Sequence, residues 1–369
     1  MKLGFIPLND CAPLAVAEAK GFFAAEGLEV TLSREASWAT VRDKVAVGAL
    51  NGAHMLAPMI LAASLGVGGE PTRLVTPMAL NLNGSAITVS KALAQALRRL
   101  DPDGVAARTA RPLARLIAAR RELGSAPLTF AVVFAYSMHS YELRYWLAES
   151  GVDPDADVRL VVVPPPRMAD QLRAGLIDGF CVGGPWGALA SADGAGETLA
   201  YAADIWNDSP DKALGVNAAW AEANPEVLQA LLRGLLRAAD WCDRQGNRAE
   251  LAAILATEAY VGAPADLVAR SLEETEIVFH RRDASFPWVS HAAWFLSQMR
   301  RWGQLDPAVD IAAAAARVYR PDLFRTAAAA VGMDAPDRDG KLEQGFGDGR
   351  VFDLAAAADY AAGFKITRS

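Results

Sequence analysis

Leu3-Gly4-Phe5-Ile6-Pro7-Leu8-Asn9-Asp10, running directly into Ala12 to Lys20 and Gly21, decides how the chain is read. Leu3 to Leu8 is apolar enough for a buried strand, which ends at the polar pair Asn9-Asp10. Pro13 sits where the first turn of a helix tolerates a missing N–H, and Gly21 is a helix stop. After Phe22-Phe23 and a turn at Gly27, Leu28 to Leu32 alternates as a second strand. Ser37 is placed to cap a helix over Val41 to Leu50, which Asn51-Gly52 stops. Ala53 to Leu56 gives a third strand, and another helix follows from Pro58. Strands alternating with helices at this spacing predict an α/β fold with doubly wound, mostly parallel sheets and flanking helices.

Leu74 to Val89 is extended again but broken by Asn81-Leu82-Asn83-Gly84, the first crossing between two lobes. Ala92 to Leu123 reads as arginine-rich helix interrupted at Pro102 and Pro112, its charges a solvated face. Thr129 to Phe134, Arg159 to Val163 and Gly179 to Val182 read as strands, and Tyr141 to Ser150 and Met168 to Ala174 as helices. Long helices are expected from Pro225 to Arg244 and from Ala249 onward. The polar tail from Gly332 turns helical near Ala355 to Ala362. The division is residues 1–84 plus 210–369 for lobe I and 85–209 for lobe II, with a ligand cleft between them. Crossings near residues 81–86 and 200–215 act as the hinge.

The 369 residues are 52% apolar and 21% charged, a globular balance in a chain long enough for two lobes. A net charge of −7 argues against a nucleic-acid surface, which draws on clustered Lys and Arg. A small anion remains admissible, because a buried pocket sets its own local field. Cys11, Cys181 and Cys242 are widely spaced, without metal-ligand spacing or a disulfide framework, and are expected as buried free thiols. No run of about 18 apolar residues suggests a membrane span. Met1-Lys2 leads straight into the first strand without the pattern of a secretory leader, so a cytoplasmic location is expected.

Several stretches are similar, in order, to the nitrate- and bicarbonate-binding branch of the ABC-transporter solute-binding proteins. They are Leu3 to Leu8, Ala19-Lys20-Gly21-Phe22-Phe23, Ala36 to Asp43, Gly52 to Met59, Val163-Pro164-Pro165-Pro166, Phe180-Cys181-Val182-Gly183-Gly184-Pro185-Trp186 and Lys212-Ala213-Leu214-Gly215. The resemblance runs from residue 2 to about residue 365. It implies a type II, two-lobed periplasmic-binding-protein-like fold, no catalysis, no cofactor and no metal. Without a leader, the chain most resembles the NasS-type cytoplasmic nitrate sensors of that branch. Such a sensor binds nitrate or nitrite and restrains an RNA-binding antiterminator that carries an ANTAR domain, touching neither nucleic acid nor membrane itself. Two alternatives stand beside it. One is the substrate-binding component of a nitrate ABC transporter, which works with a permease. The other is an enzyme resembling the thiamine-pyrimidine synthases, whose cysteine-rich motif Cys11, Cys181 and Cys242 do not supply.

Nitrate is a planar monoanion without a proton, so its site needs converging donors, a positive charge and no carboxylate. Bicarbonate adds a hydroxyl that wants an acceptor. The resemblance places Lys212 at the anion, where related bicarbonate binders carry an acid; otherwise Lys212 is an exposed loop lysine. It places His139 as a ligand contact at the start of a helix, where ring N–H and helix amides can face an anion. Trp38, in Ser37-Trp38-Ala39-Thr40, offers an indole N–H beside an apolar wall. Ser85 stands where transporter members have a longer glutamine. Gly184 stands where many have glutamate, removing a cleft carboxylate, and Trp186 follows as cleft wall. His54, His280 and His291 are read as structural, and Arg281-Arg282 and Arg300-Arg301 as solvated.

Overall fold

The computed structural model describes residues 1–368. In chain order the strands are β1 (Lys2–Phe5), β2 (Thr31–Arg34), β3 (Gly52–Leu56), β4 (Leu74–Ala79), β5 (Ser85–Ser90), β6 (Leu128–Val132), β7 (Val158–Val162), β8 (Gly179–Gly183), β9 (Gly196–Tyr201) and β10 (Lys212–Asn217). They form two five-stranded sheets, ordered β2-β1-β3-β10-β4 and β7-β6-β8-β5-β9. In the first sheet β1 pairs parallel with β2 and β3, while β10 lies antiparallel to β3 and β4. In the second, β6 pairs parallel with β7 and β8, while β5 lies antiparallel to β8 and β9. One strand in each sheet therefore runs against the other four. These are the strands that arrive from the other lobe. Lys212 opens β10 opposite Leu56, the last residue of β3, and Ser85 opens β5 opposite Gly183, the last residue of β8. The cleft is thus lined by strand ends of one kind and strand beginnings of the other, where side chains of open α/β sheets meet ligands.

Two helices that build the cleft start at serine caps, though the first runs Trp38–Ala46 rather than Val41 to Leu50. Ser37 accepts a hydrogen bond from Thr40 N at 3.2 Å and caps the helix Trp38–Ala46. Ser137 does the same for Met138–Glu149 through Ser140 N at 3.0 Å. The long helix Pro225–Asp243 buries its leucine face against the helix Ala12–Ala19. Trp186–Ala192 of the second lobe packs on Ala265–Glu274 of the first.

Residues 80–84 and 209–212 cross between the lobes side by side. Asn81 donates to Asn83 O at 2.7 Å and accepts from Lys212 N at 3.2 Å. Asn83 N donates to Ser209 O at 2.6 Å, and Ser209 N to Asn83 Oδ1 at 3.0 Å. Gly84 takes φ +102°, and a Cβ there would lie 2.8 Å from Ile277 Cδ1, so no larger residue fits the crossing.

Four expectations need correction. The second strand is Thr31–Arg34 rather than Leu28–Leu32, because Thr31 to Arg34 is the stretch in register with Lys2 to Phe5. Strands β9 and β10 and the helix Trp186–Ala192 were not read from the sequence. The tail forms only short 3-10 turns at Leu354–Ala356 and Tyr360–Gly363. Its aromatic anchors, such as Phe352 against Tyr360 at 4.9 Å, override alanine's helix propensity. Arg301 is buried rather than solvated, with its guanidinium 3.6 Å from the Phe364 ring centre and 4.5 Å from that of Trp302. The tail reaches both lobes, since Tyr145 of the second donates to Asp348 Oδ2 at 2.8 Å.

Asn81→Ala should leave Lys212 N–H and Asn83 C=O unpaired in a dry seam, a loss of about 1–3 kcal/mol. A clear fall in the thermal midpoint is expected, and an unchanged midpoint would show that these bonds contribute nothing net.

Candidate ligand-binding site between the lobes

The turn after β1 carries Asn9 and Asp10 to the end of the first sheet, as the opening stretch of sequence suggests. Asp10 is fully enclosed. Its Oδ1 lies 2.7 Å from His54 Nε2 and its Oδ2 lies 2.9 Å from Lys212 Nζ. His54, in the middle of β3, accepts at Nδ1 from Ile6 N at 3.5 Å, which leaves Nε2 as the nitrogen that donates to Asp10. Burial lowers the His54 pKa despite Asp10, so the ring is neutral. Burial alone would raise Asp10, but the Lys212 ammonium and His54 outweigh it and hold this carboxyl well below the usual range.

Lys212 has no exposed side-chain surface, which rules out an exposed loop lysine. Its ammonium contacts Asp211 Oδ2 at 2.5 Å as well as Asp10. Burial opposes its charge, yet the two carboxylates raise its pKa. Asp211 is pushed up to about 6, first by burial and then, against Lys212, by Asp10. A lone buried ammonium would cost several kcal/mol in desolvation, so two acids beside it are what burial demands. This corrects the expectation of a cleft free of carboxylates. His54, read as structural, is set by the fold on Asp10 and 5.3 Å from the Trp38 ring.

Trp38 and His139 stand in the first turns of the two serine-capped helices, one from each lobe. Lys212 Nζ lies 5.7 Å from the Trp38 ring centre. His139 Nε2 lies 3.6 Å from Asp211 Oδ2, beyond a hydrogen bond. Burial, then Lys212, press the His139 pKa well below its usual value. Trp38 Nε1, both ring nitrogens of His139, both amide atoms of Asn9 and Asp211 Oδ1 are buried without hydrogen-bond partners. Orphaned polar atoms are rare in folded proteins, and Asp10 Oδ2 joins these as an atom with an ion-pair contact but no hydrogen bond; such a group at the seam suits a small polar guest.

Ser85 is in the seam, but its hydroxyl donates to Glu142 Oε2. Ser209 donates to the other oxygen of Glu142 at 2.7 Å. Glu142 is pushed up to about 7 by burial and by Asp211. Gly184 has a steric role beyond the missing carboxylate: a Cβ there would lie 2.0 Å from Ser271 Oγ and 2.8 Å from Asn9 Nδ2, and its carbonyl accepts from Asn9 N at 2.8 Å. The lobes touch through this bare backbone. Trp186 donates across the seam to Pro7 O at 3.1 Å. The residues missed from sequence, Asn9, Asp10, Asp211 and Glu142, carried two signals: two follow the first strand, and one adjoins Lys212. Among the described residues no His, Cys, Asp and Glu group has metal-site geometry, and all three cysteines are buried and free.

Two lobes meeting over buried, unpartnered polar atoms have the arrangement of a small-molecule cleft. Residues 1–256 match the NMT1-like family. The chain is 38% identical, over its whole length, to the nitrate import ATP-binding protein NrtC of Synechocystis sp., of which it spans only 55%. It is 34% identical to the nitrate/nitrite binding protein NrtA of Synechococcus elongatus, with 99% of this chain and 86% of that one covered. The crystal structure of the periplasmic nitrate-binding protein NrtA from Synechocystis PCC 6803 superposes with a TM-score of 0.91 at 32% identity, covering 99% of this chain and 98% of that one. The chain belongs to the NMT1-like family, as a solute-binding protein and not an enzyme.

Gly184→Val should leave each lobe folded but hold the seam open. Small-angle scattering of the variant is expected to give a larger radius of gyration than the parent with saturating ligand; identical profiles would show that Gly184 does not limit closure.

Proposed function

We propose that this protein binds nitrate or nitrite between its lobes and serves as the solute-binding part of an ABC-type nitrate import system. The observation that carries this is the convergence of unpartnered Trp38 Nε1 and His139 on the buried Lys212 ammonium. Those groups suit a small planar oxyanion, since charge-assisted hydrogen bonds are about twice as strong as neutral ones. The NrtA relatives, alignable along nearly the whole chain, support the same ligand. NrtC is named for nitrate import and NrtA for binding nitrate and nitrite, so the relatives favour a transporter role. The cytoplasmic sensor that restrains an ANTAR antiterminator draws its support from the sequence resemblance alone. Co-elution separates the two: an import partner retains the protein with nitrate present, whereas an antiterminator is released by it.

Calorimetric titration with nitrate, nitrite, bicarbonate and bicarbonate plus calcium tests the ligand. Nitrate or nitrite should bind and raise the thermal midpoint by mass action. Binding of bicarbonate with calcium alone would overturn the assignment. Lys212 is a poor site for mutation, because its loss strands Asp10 and Asp211 and costs about 3–5 kcal/mol in folding. Trp38→Phe is cleaner. It keeps a ring against His54 and removes only an N–H that has no partner in the ligand-free protein. Stability should change little while affinity falls about 3–10-fold, the value of one hydrogen bond of about 0.5–1.5 kcal/mol. Unchanged nitrate affinity would remove Trp38 from the site.

A further inference from the structure

The charges around Lys212 leave no room for a further anion unless something else changes. Lys212 meets Asp10 at 2.9 Å and Asp211 at 2.5 Å, all three buried. One ammonium already faces two carboxylates. The other titratable groups that face this cluster carry no positive charge: His54 on β3 and His139 on the helix Met138–Glu149 are uncharged, Glu142 on that helix is an acid, and Cys11 beside Asp10 and Cys181 on β8 are thiols held protonated by burial, while Arg144 of the same helix pairs with Asp155. A bound monoanion would add a second uncompensated negative charge in an enclosure without water's screening.

We propose that Asp211 is a ligand-binding residue that acts as a carboxylic acid, so that each nitrate enters together with one proton. The reading rests on the nitrate assignment above. Geometry selects Asp211 among the three acids. Asp10 has Oδ1 on His54, and its Oδ2, without a hydrogen bond of its own, faces the Lys212 ammonium at 2.9 Å, which with His54 holds this carboxyl ionised. Glu142 accepts hydroxyls at both oxygens, from Ser85 and Ser209. Asp211 shares Oδ2 with Lys212 but keeps Oδ1 buried and unpartnered. Proton uptake forms an O–H bond on Oδ1, the proton coming from solvent or buffer, and turns an acceptor that would repel the anion into a donor that binds it. The net charge of the site is then the same before and after nitrate enters.

The same carboxyl distinguishes oxyanions. Nitrate is the anion of a strong acid and carries no hydrogen, so its proton must be taken up by the protein. Bicarbonate brings its own hydroxyl, which can donate to ionised Asp211, so it meets Oδ1 without uptake but leaves its added charge uncompensated. The direction follows from linkage. Burial and Asp10 push Asp211 up to about 6 against the pull of Lys212, and an adjacent anion raises it further. Nitrate affinity should therefore be level below pH 6 and fall as pH rises above it, by up to tenfold per pH unit.

The test is titration calorimetry of nitrate at pH 8 in buffers of different ionisation enthalpy. The slope of observed enthalpy against buffer enthalpy should report uptake of close to one proton by the parent protein, and close to none by Asp211→Asn, whose affinity should be flat with pH. Uptake near zero in the parent, with nitrate bound, overturns the proposal and leaves the nitrate reading intact. Uptake that persists in Asp211→Asn but vanishes in Glu142→Gln overturns it in favour of Glu142. If no monoanion among nitrate, nitrite, bicarbonate and chloride binds at any pH, the site does not take anions and both readings fall. Should Asp211→Asn fail to fold, the parent's proton count and pH profile still decide.

Discussion

A charged lysine without a square ångström of exposed side chain is the constraint around which the rest of the structure is arranged. Taking an ammonium out of water costs far more than any one contact returns, so Lys212 can be buried only where acids are already waiting. Asp10 supplies one carboxylate because the turn after β1 ends at the same sheet edge where β10 begins. Asp211 supplies the other because it is the preceding residue on the crossing, tied down through Asn81. His54 then fixes Asp10 from behind. All four belong to the first lobe. It carries the whole charged cluster, and the second lobe adds the neutral His139 and the bare backbone of Gly183 and Gly184 as a cover.

Much of the architecture was legible in the residues. The strand Leu3 to Phe5, the proline and serine signals at helix starts, and the break at Asn81 to Gly84 all use local chemistry, and local chemistry decided those elements. The register of β2, the strands β9 and β10 and the fate of the tail were not legible, because they are set by pairing and packing partners outside the segment itself: Lys2 to Phe5 for β2, β5 for β9, and β3 and β4 for β10. In the tail Phe346 stacks on Trp206 at 4.4 Å; no alanine count could have announced it. Trp38, His139 and Lys212 come together from helix starts and a strand start that the sequence marks. The acids around Lys212 were overlooked because the ligand was considered before the cost of burying the lysine. An isolated cation in a closed cleft would have required them whatever the guest.

Closure in this structure has contacts of its own. Asn9 N meets Gly184 O, Trp186 reaches Pro7 O, and the tail holds Tyr145 through Asp348. A ligand moves the open–closed balance only by the margin with which it prefers the closed form. If these seam contacts already favour closure, a modest ligand preference shifts most of the population, and the margin comes from groups that have partners only when the guest is present. Trp38 Nε1 and His139 are such groups, and they sit on opposite lobes. Neither can be satisfied by one ligand while the cleft is open.

Hinge and site are further joined by one rigid element. His139 and Glu142 lie on the same helix, three residues apart, so their side chains share a face. Glu142 accepts from Ser85, at the start of the first strand beyond one crossing, and from Ser209, on the other crossing. A displacement of His139 toward a ligand cannot leave Glu142 in place, because a helix of this length moves as a body. Any such displacement reaches both crossings through two buried hydroxyls, without a flexible segment between. The carboxyl that holds the hinge is also pushed up by the charge on Asp211. Charge at the ligand and geometry at the hinge are therefore not separate properties of this cleft: altering the first changes the strength of the hydrogen bonds that set the second.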